Sequence, residues 1–191
     1  MAYILNTNQR SKDYSNLLDH PRPSHADYTA YVHYKGFADM RGGGHFSGRL
    51  TAPLCIAGGI AKQILRRRGI YIGAQLLQVA DVRGTAFDAM HVDAATLEGM
   101  AERPFPTLDE NASAAMQEAI AAASRDGDSV GAIVQGAAIG VPVGLGGPMF
   151  DGVENRLAQA LFGIPAARAS ISALASTASA CAAAPTTILS R

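Results

Sequence analysis

Residues 53–69 constrain the fold more than any other stretch of the chain. After Pro53 the apolar positions Leu54, Ile56, Ala57, Ile60, Ala61, Ile64 and Leu65 recur at the period of a helix. Proline suits a first helical turn, because its missing N–H would be unpaired there anyway. Arg66, Arg67 and Arg68 fall where the negative end of the helix dipole lies, and Gly69 can take a left-handed cap. The pattern predicts a helix from Pro53 to Gly69. It is entered from Arg41-Gly42-Gly43-Gly44-His45-Phe46-Ser47-Gly48-Arg49, the most glycine-dense run of the first 50 residues.

Beyond Gly69 the signals alternate. Residues 70–79 (IYIGAQLLQV) read as a strand, although the last of them also suit a helix. Residues 83–107 contain Gly84, Pro104 and Pro106 and few large aliphatics, so they are expected to be mostly connection. A helix is predicted over 108–124, with Asp109 and Glu110 at its start and Met116 and Ile120 on one face. Asp126-Gly127-Asp128-Ser129 is a turn, and Val130 to Ile139 a strand of small residues. Val141 to Pro148 carries too much glycine and proline for regular structure, and a helix follows from Phe150 to Gly163. Ahead of residue 50, Tyr28, Tyr31, Tyr34 and Phe37 recur every third position and are expected to anchor an irregular, partly helical segment. Cys55 is expected to be a small core residue. Helices and strands intermix without a strict βαβ rhythm, so the expected class is α+β.

The charge balance excludes several functions. Sixteen basic and 16 acidic side chains give a net charge of zero, which argues against a nucleic-acid-gripping surface. No apolar run has the length of a membrane span, and MAYILNTNQR lacks a signal-peptide pattern. Cys55 and Cys181 suggest neither a disulfide framework nor a metal knuckle, so a reducing, cytoplasmic setting is expected. No His/Cys/Asp/Glu spacing suggests a metal site. One break is hidden in these averages. All 16 acidic residues and all 20 glycines precede position 169, and the last 23 residues hold 8 Ala, 5 Ser and 3 Thr.

Two segments can carry chemistry. In 41–49 the consecutive glycines let backbone N–H groups approach an anion, and Ser47 and Arg49 can donate to it. A phosphate-bearing ligand fits there; so does a plain surface turn, and the residues alone leave both open. The run is not a P-loop, since no Gly-Lys-Ser/Thr closes it, and no strand leads into it as a dinucleotide fingerprint requires. In Arg22-Pro23-Ser24-His25-Ala26-Asp27 the imidazole of His25 can act as acid or base beside an anion, or be a hydrogen-bonded bystander. His20, His33 and His91 show no partner pattern, and Arg66 to Arg68 read as a solvated helix end.

Taken together, these stretches resemble chorismate synthase. The resemblance runs through Asn8-Gln9-Arg10-Ser11-Lys12-Asp13-Tyr14, Arg22 to Asp27, and Arg41 to Arg49 leading into LTAPLCIAGGIAKQIL. It continues in Gly127-Asp128-Ser129-Val130-Gly131, Val141 to Gly146, Met149-Phe150-Asp151, Leu157 to Leu161 and Ile164-Pro165-Ala166, all in the family's order. It implies helices packed between antiparallel β-sheets, a homotetramer, and a lyase that closes the shikimate pathway of aromatic amino acid biosynthesis. That lyase removes phosphate and a proton from 5-enolpyruvylshikimate 3-phosphate to give chorismate, using reduced FMN, with NADPH as the candidate reductant. The resemblance makes His25 the histidine that protonates near the reduced flavin. His45, Phe46, Ser47, Pro165 and Ala166 would contact flavin, and Ser47 and Arg49 substrate. Many relatives carry Arg-Ser-Ser where this chain has His45-Phe46-Ser47, so contacts there are expected to run through the backbone.

The resemblance covers an interior part of the family pattern, residues 1–168. The family's Ser-His-Gly segment, its second catalytic histidine and the region after Ile-Pro-Ala have no counterpart here. Residues 169–191 are expected to be an out-of-frame, unstructured tail. Codons for Ala169 to Ser176, shifted back by one base, can encode the Gly-Ile-Asp-Phe-Gly-Ala-Gly-Phe that follows Ile-Pro-Ala in the family, and Cys181 to Ala184 can hide its Met-Arg-Gly-Ser. The chain alone is expected to be inactive. The alternative is a non-catalytic flavin- or anion-binding fragment.

Overall fold

The computed structural model describes residues 3–5, 7, 10–23, 25–171, 174–177 and 180–190. The chain forms two compact units, residues 1–59 and 60–191. In the first, 3-10 turns at Ser11–Leu18, Arg41–Phe46 and Gly48–Leu50 surround helix α1 (Asp27–His33) and lead into α2 (Thr51–Arg66). Its interior is small: Leu17, Ala30 and Met40, with the carboxylate of Asp27. Helix α1 buries Asp27 and Ala30, one turn apart, so the aromatics expected as anchors fall outside that face. Tyr28, Tyr31, Tyr34 and Phe37 are all exposed, Phe37 to 91%.

Helix α2 closes as its sequence predicts. Gly69 adopts φ +75°, its N–H bonds the Arg66 carbonyl at 3.0 Å, and Ile70 N–H bonds that of Leu65 at 3.0 Å. These two bonds are a Schellman cap, which needs the left-handed residue that glycine supplies. None of α2's side chains is buried, and Cys55 is exposed rather than in a core. Helical periodicity locates an apolar face without supplying its cover.

In the second unit, β1 (Tyr71–Val79), β2 (Val82–Arg83), α3 (Ala94–Glu102), α4 (Glu110–Arg125), β3 (Ala132–Ile139) and α5 (Val153–Phe162) precede β4 (Ala169–Ile171), β5 (Leu174–Thr177) and β6 (Ala180–Ser190). The strands make one antiparallel sheet, ordered β2-β1-β3-β6-β4, with β5 also on β6. On β1, Gly73, Gln75, Leu77 and Val79 alternate onto the buried face. One core cluster joins Phe87, Leu97, Met100 and Ala137; the other joins Val79, Ala112 and Met116. Ile120, expected beside Met116, is 41% exposed.

Helix α3 corrects the expectation that 83–107 is mostly connection. Asp93 caps it, accepting the Thr96 N–H at 2.8 Å, and Leu97 and Met100 bury its inner face. It lies so close to β1 that a Cβ on Gly73 would stand 2.6 Å from the Leu97 carbonyl oxygen. Strands β4 to β6 lie in the 169–191 stretch expected to be an unstructured tail. The β3–β6 register slips between Gly136 and Ala138, opposite the stretch containing Pro185, which has no N–H to donate.

The contact between α3 and β1 makes a paired prediction. Gly73→Ala should cost about 1–3 kcal/mol by forcing the helix outward. Gly99→Ala, on α3 with no atom near its would-be Cβ, should stabilise by about 0.5–1 kcal/mol. Denaturant melts of the two variants check both signs.

Candidate active site

The site residues of the first unit are built around a buried carboxylate. Asp27, 2% exposed, opens α1 and faces back over the turn that precedes it. Its Oδ2 accepts from Arg22 N at 3.0 Å and Arg22 Nε at 2.8 Å, and its Oδ1 from Arg22 Nη2 at 3.0 Å. Nδ1 of His25 lies 2.7 Å from the same Oδ1. The Arg22 hydrogen bonds hold the Asp27 carboxyl far below the ordinary carboxylate range, and Asp27 in turn raises the Arg22 guanidinium. Arg22 Nη2 also lies 3.2 Å from both ring nitrogens of His25, so arginine, aspartate and histidine form a closed triangle.

The glycine run is braced beside it. Arg41 grips Asp39 through Nε and Nη2, the shortest contact being 2.6 Å, which holds Asp39 at about 2. The Arg41 carbonyl accepts from Arg49 Nη2 at 3.1 Å, and Ser47 Oγ from Arg49 N–H at 3.4 Å. Gly43 and Gly44 have φ of +86° and +61°, which residues with a Cβ rarely adopt. A Cβ on Gly43 would stand 3.7 Å from Ser47 Oγ and 4.0 Å from Arg22 Nη2. Gly43 thus leaves open the space between a hydroxyl and a guanidinium, both donors suited to an anion.

The structure brings His25 and Ser47 to this neighbourhood through Arg22. His45 and Arg49 are exposed and Phe46 half-buried. Pro165 and Ala166 are exposed after α5 in the second unit, Ala166 in the left-handed region at φ +70°. The second unit also has an open groove of about 590 Å³ between Leu145–Gly147 and the first turns of α5, edged by an Arg156–Asp151 ion pair of 2.6 Å. Sequence reasoning left Arg22 and Asp27 as motif flanks without a role. The signal was present: an arginine, a histidine and an aspartate within six residues of a turn. His91, expected to lack a partner, pairs with Asp88 at 2.8 Å, and Arg66 with Glu98 at 2.7 Å. Among the described residues no helix is long and apolar enough to cross a membrane, and no cluster could hold a metal ion.

An antiparallel sheet packed with helices in one unit, and an Arg–Asp–His triangle beside a glycine run in the other, define an α+β protein. The family model for chorismate synthase matches residues 1–180, and the chain belongs to the chorismate synthase family. It is 39% identical over 178 residues to the chorismate synthase of Lancefieldella parvula, covering 88% of this chain and 47% of that one. It is 46% identical over 160 residues to that of Pyrococcus abyssi, covering 83% and 42%. The chain thus spans a little under half the length of these curated relatives. A solved structure described as "Crystal Structure of Chorismate Synthase" shares the fold with a TM-score of 0.64 at 15% identity, covering 85% of this chain and 61% of that one.

Two predictions follow from the Asp27 geometry. Asp27→Asn removes a buried charge from three arginine bonds and should destabilise the chain by about 2 kcal/mol. Because the folded carboxyl titrates below its ordinary 3.8, its contribution is complete above that pH and is lost as the pH falls beneath it. Asp39 behaves alike between 3.8 and about 2. Thermal melts across acid pH should show the gap between wild type and Asp27→Asn closing on acidification.

Proposed function

We propose that this chain carries the flavin- and phosphate-facing part of a chorismate synthase active site. The reaction is the 1,4-elimination of phosphate from 5-enolpyruvylshikimate 3-phosphate. The C–O bond to phosphate breaks, a ring proton leaves, and chorismate is formed. The observation that carries this reading is the cradle at Gly43, set between Ser47 and Arg22, whose Nη2 also lies 3.2 Å from the His25 ring. Those residues fit a flavin or substrate that presents anionic oxygens. When bound, reduced FMN supplies an electron-rich ring that assists phosphate departure with no net redox change.

The chain's own residues have separable tasks. Arg22 and Arg49 supply positive charge that the neutral overall balance does not, placed where an anion can use it. Ser47 donates its hydroxyl, and the backbone of His45 and Phe46 lines the flavin without requiring the relatives' Arg-Ser side chains. His25 moves a proton at the flavin edge. Pro165 and Ala166, in the second unit, stand in the Ile-Pro-Ala stretch shared with the family, and Ala166 holds a left-handed φ of +70°, the kind of strain that binding segments hold. In the same reading NADPH reduces the flavin, the assembly is a homotetramer and the compartment is the cytoplasm. Residues 169–191 are the translation of a shifted frame, which the loss of every acid and glycine after position 168 supports; genomic sequencing that finds no family-like reading one base away would remove that part.

The chain alone is expected to bind reduced FMN without turnover, because the second histidine of the family pattern has no counterpart in its residues. Anaerobic titration should give saturable binding that Gly43→Val weakens at least tenfold, about 1.4 kcal/mol. His25→Ala should leave the affinity within a few-fold. Absence of saturable binding would overturn the proposal. Turnover matching that of a longer relative would overturn the inactivity.

A further inference from the structure

We propose that Asp27 is a positioning residue for His25, holding its imidazole as the Nδ1–H tautomer so that Nε2 is the nitrogen that accepts or releases a proton. The inference rests on the reading of His25 as the site's proton carrier and deepens it. Its basis is how the two oxygens of one carboxylate are shared out. Oδ2 is taken by the backbone N–H and Nε of Arg22, and Oδ1 receives Nη2 from one side and His25 Nδ1 from the other. With three bonds from one arginine and almost no exposed surface, the carboxylate cannot swing away, so Oδ1 is a fixed acceptor.

A fixed anionic acceptor 2.7 Å from Nδ1 requires a proton on that nitrogen. In the Nε2–H tautomer two lone pairs would face each other at that distance, which a buried site does not tolerate. Arg22 Nη2 lies 3.2 Å from both Nδ1 and Nε2 and can only donate, so in the Nδ1–H tautomer Nε2 is the ring nitrogen left to accept from it. The turn holds the His25 backbone, whose N–H bonds the Arg22 carbonyl at 3.3 Å. A second-sphere carboxylate that sets a histidine's tautomer is a general way of choosing which nitrogen does the work. Arg22 then has two tasks: it anchors Asp27, and it occupies Nε2 until an anion draws the guanidinium away. The space beside Gly43, 4.0 Å from Nη2, is where such an anion would compete for it.

The test is the tautomeric state of His25 in the 15N-labelled full chain, read by long-range proton–nitrogen correlation at about pH 8, where an imidazole is ordinarily neutral. The wild type should show Nδ1–H and a bare Nε2, and Asp27→Asn should move the population toward Nε2–H. A wild-type ring protonated on Nε2, or a D27N spectrum with the Nδ1–H form unchanged, would overturn the proposal. Should D27N lose its folded spectrum, Arg22→Gln keeps the carboxylate and should retain Nδ1–H; a switch to Nε2–H there would assign the effect to Arg22 and overturn it equally. Structural loosening alone broadens resonances without exchanging the protonated nitrogen. Reduced-FMN binding is measured separately, so a failed flavin titration removes the functional reading while the tautomer result stands.

Discussion

The second unit hangs on two side-chain amides buried in the middle of its sheet. Gln75 and Gln135 face each other across β1 and β3, at 1% and 2% exposure, and Gln75 Nε2 donates to Gln135 Oε1 at 2.9 Å. Glutamine is costly to bury unless its polar atoms are paired. Here the pairing reaches outward. Gln135 Oε1 also accepts from Phe87 N–H at 2.8 Å, Gln75 Oε1 from Leu108 N–H at 3.0 Å, and Gln75 Nε2 donates to the Thr85 carbonyl. Two irregular connections of the unit, those containing Phe87 and Leu108, are thereby tied to its central strands. One delivers Phe87 to the core and the other sets the start of α4. Thr107, next to Leu108, and Ser170 on β4 are exceptions: their buried Oγ atoms have no partner among the described residues.

The same logic operates in the first unit with a charge in place of an amide. Little apolar surface is buried there, and Asp27 takes the central position that a leucine would hold in a larger core. Arg22 satisfies it and at the same time faces His25 and the space beside Gly43. A group that organises the turn is therefore also in contact with the groups proposed to do chemistry. The zero net charge of the chain hides this arrangement, because the charges that matter are paired locally.

Much of this was legible. The α2 helix followed from Pro53, the apolar period and Gly69, strand β1 from its apolar run and β3 from a stretch of small residues after the turn at 126–129. What was not legible has physical causes. Asp93 and Thr96 cap a helix whose inner face is only Leu97 and Met100, too short an apolar stripe to stand out between Gly84 and Pro104. Exposure of Tyr28, Tyr31, Tyr34 and Cys55 depends on which face finds cover, and spacing does not specify cover. The glutamines read as ordinary strand residues, since only the register of two strands 60 positions apart makes them a pair. At the site, the glycine run, His25, Ser47 and Arg49 stood out as single features. The roles of Arg22 and Asp27 required the turn to be closed before they could be seen.

The dependence of the fold on the buried amides is tested most directly by hydrogen exchange at two backbone sites outside any helix or strand. The Phe87 and Leu108 N–H groups should exchange as slowly as the central amides of β1. Gln135→Leu should speed Phe87 and Gln75→Leu should speed Leu108, each by at least tenfold. Exchange at both sites in the wild type as fast as in the exposed turn at residues 126–129 would contradict the account.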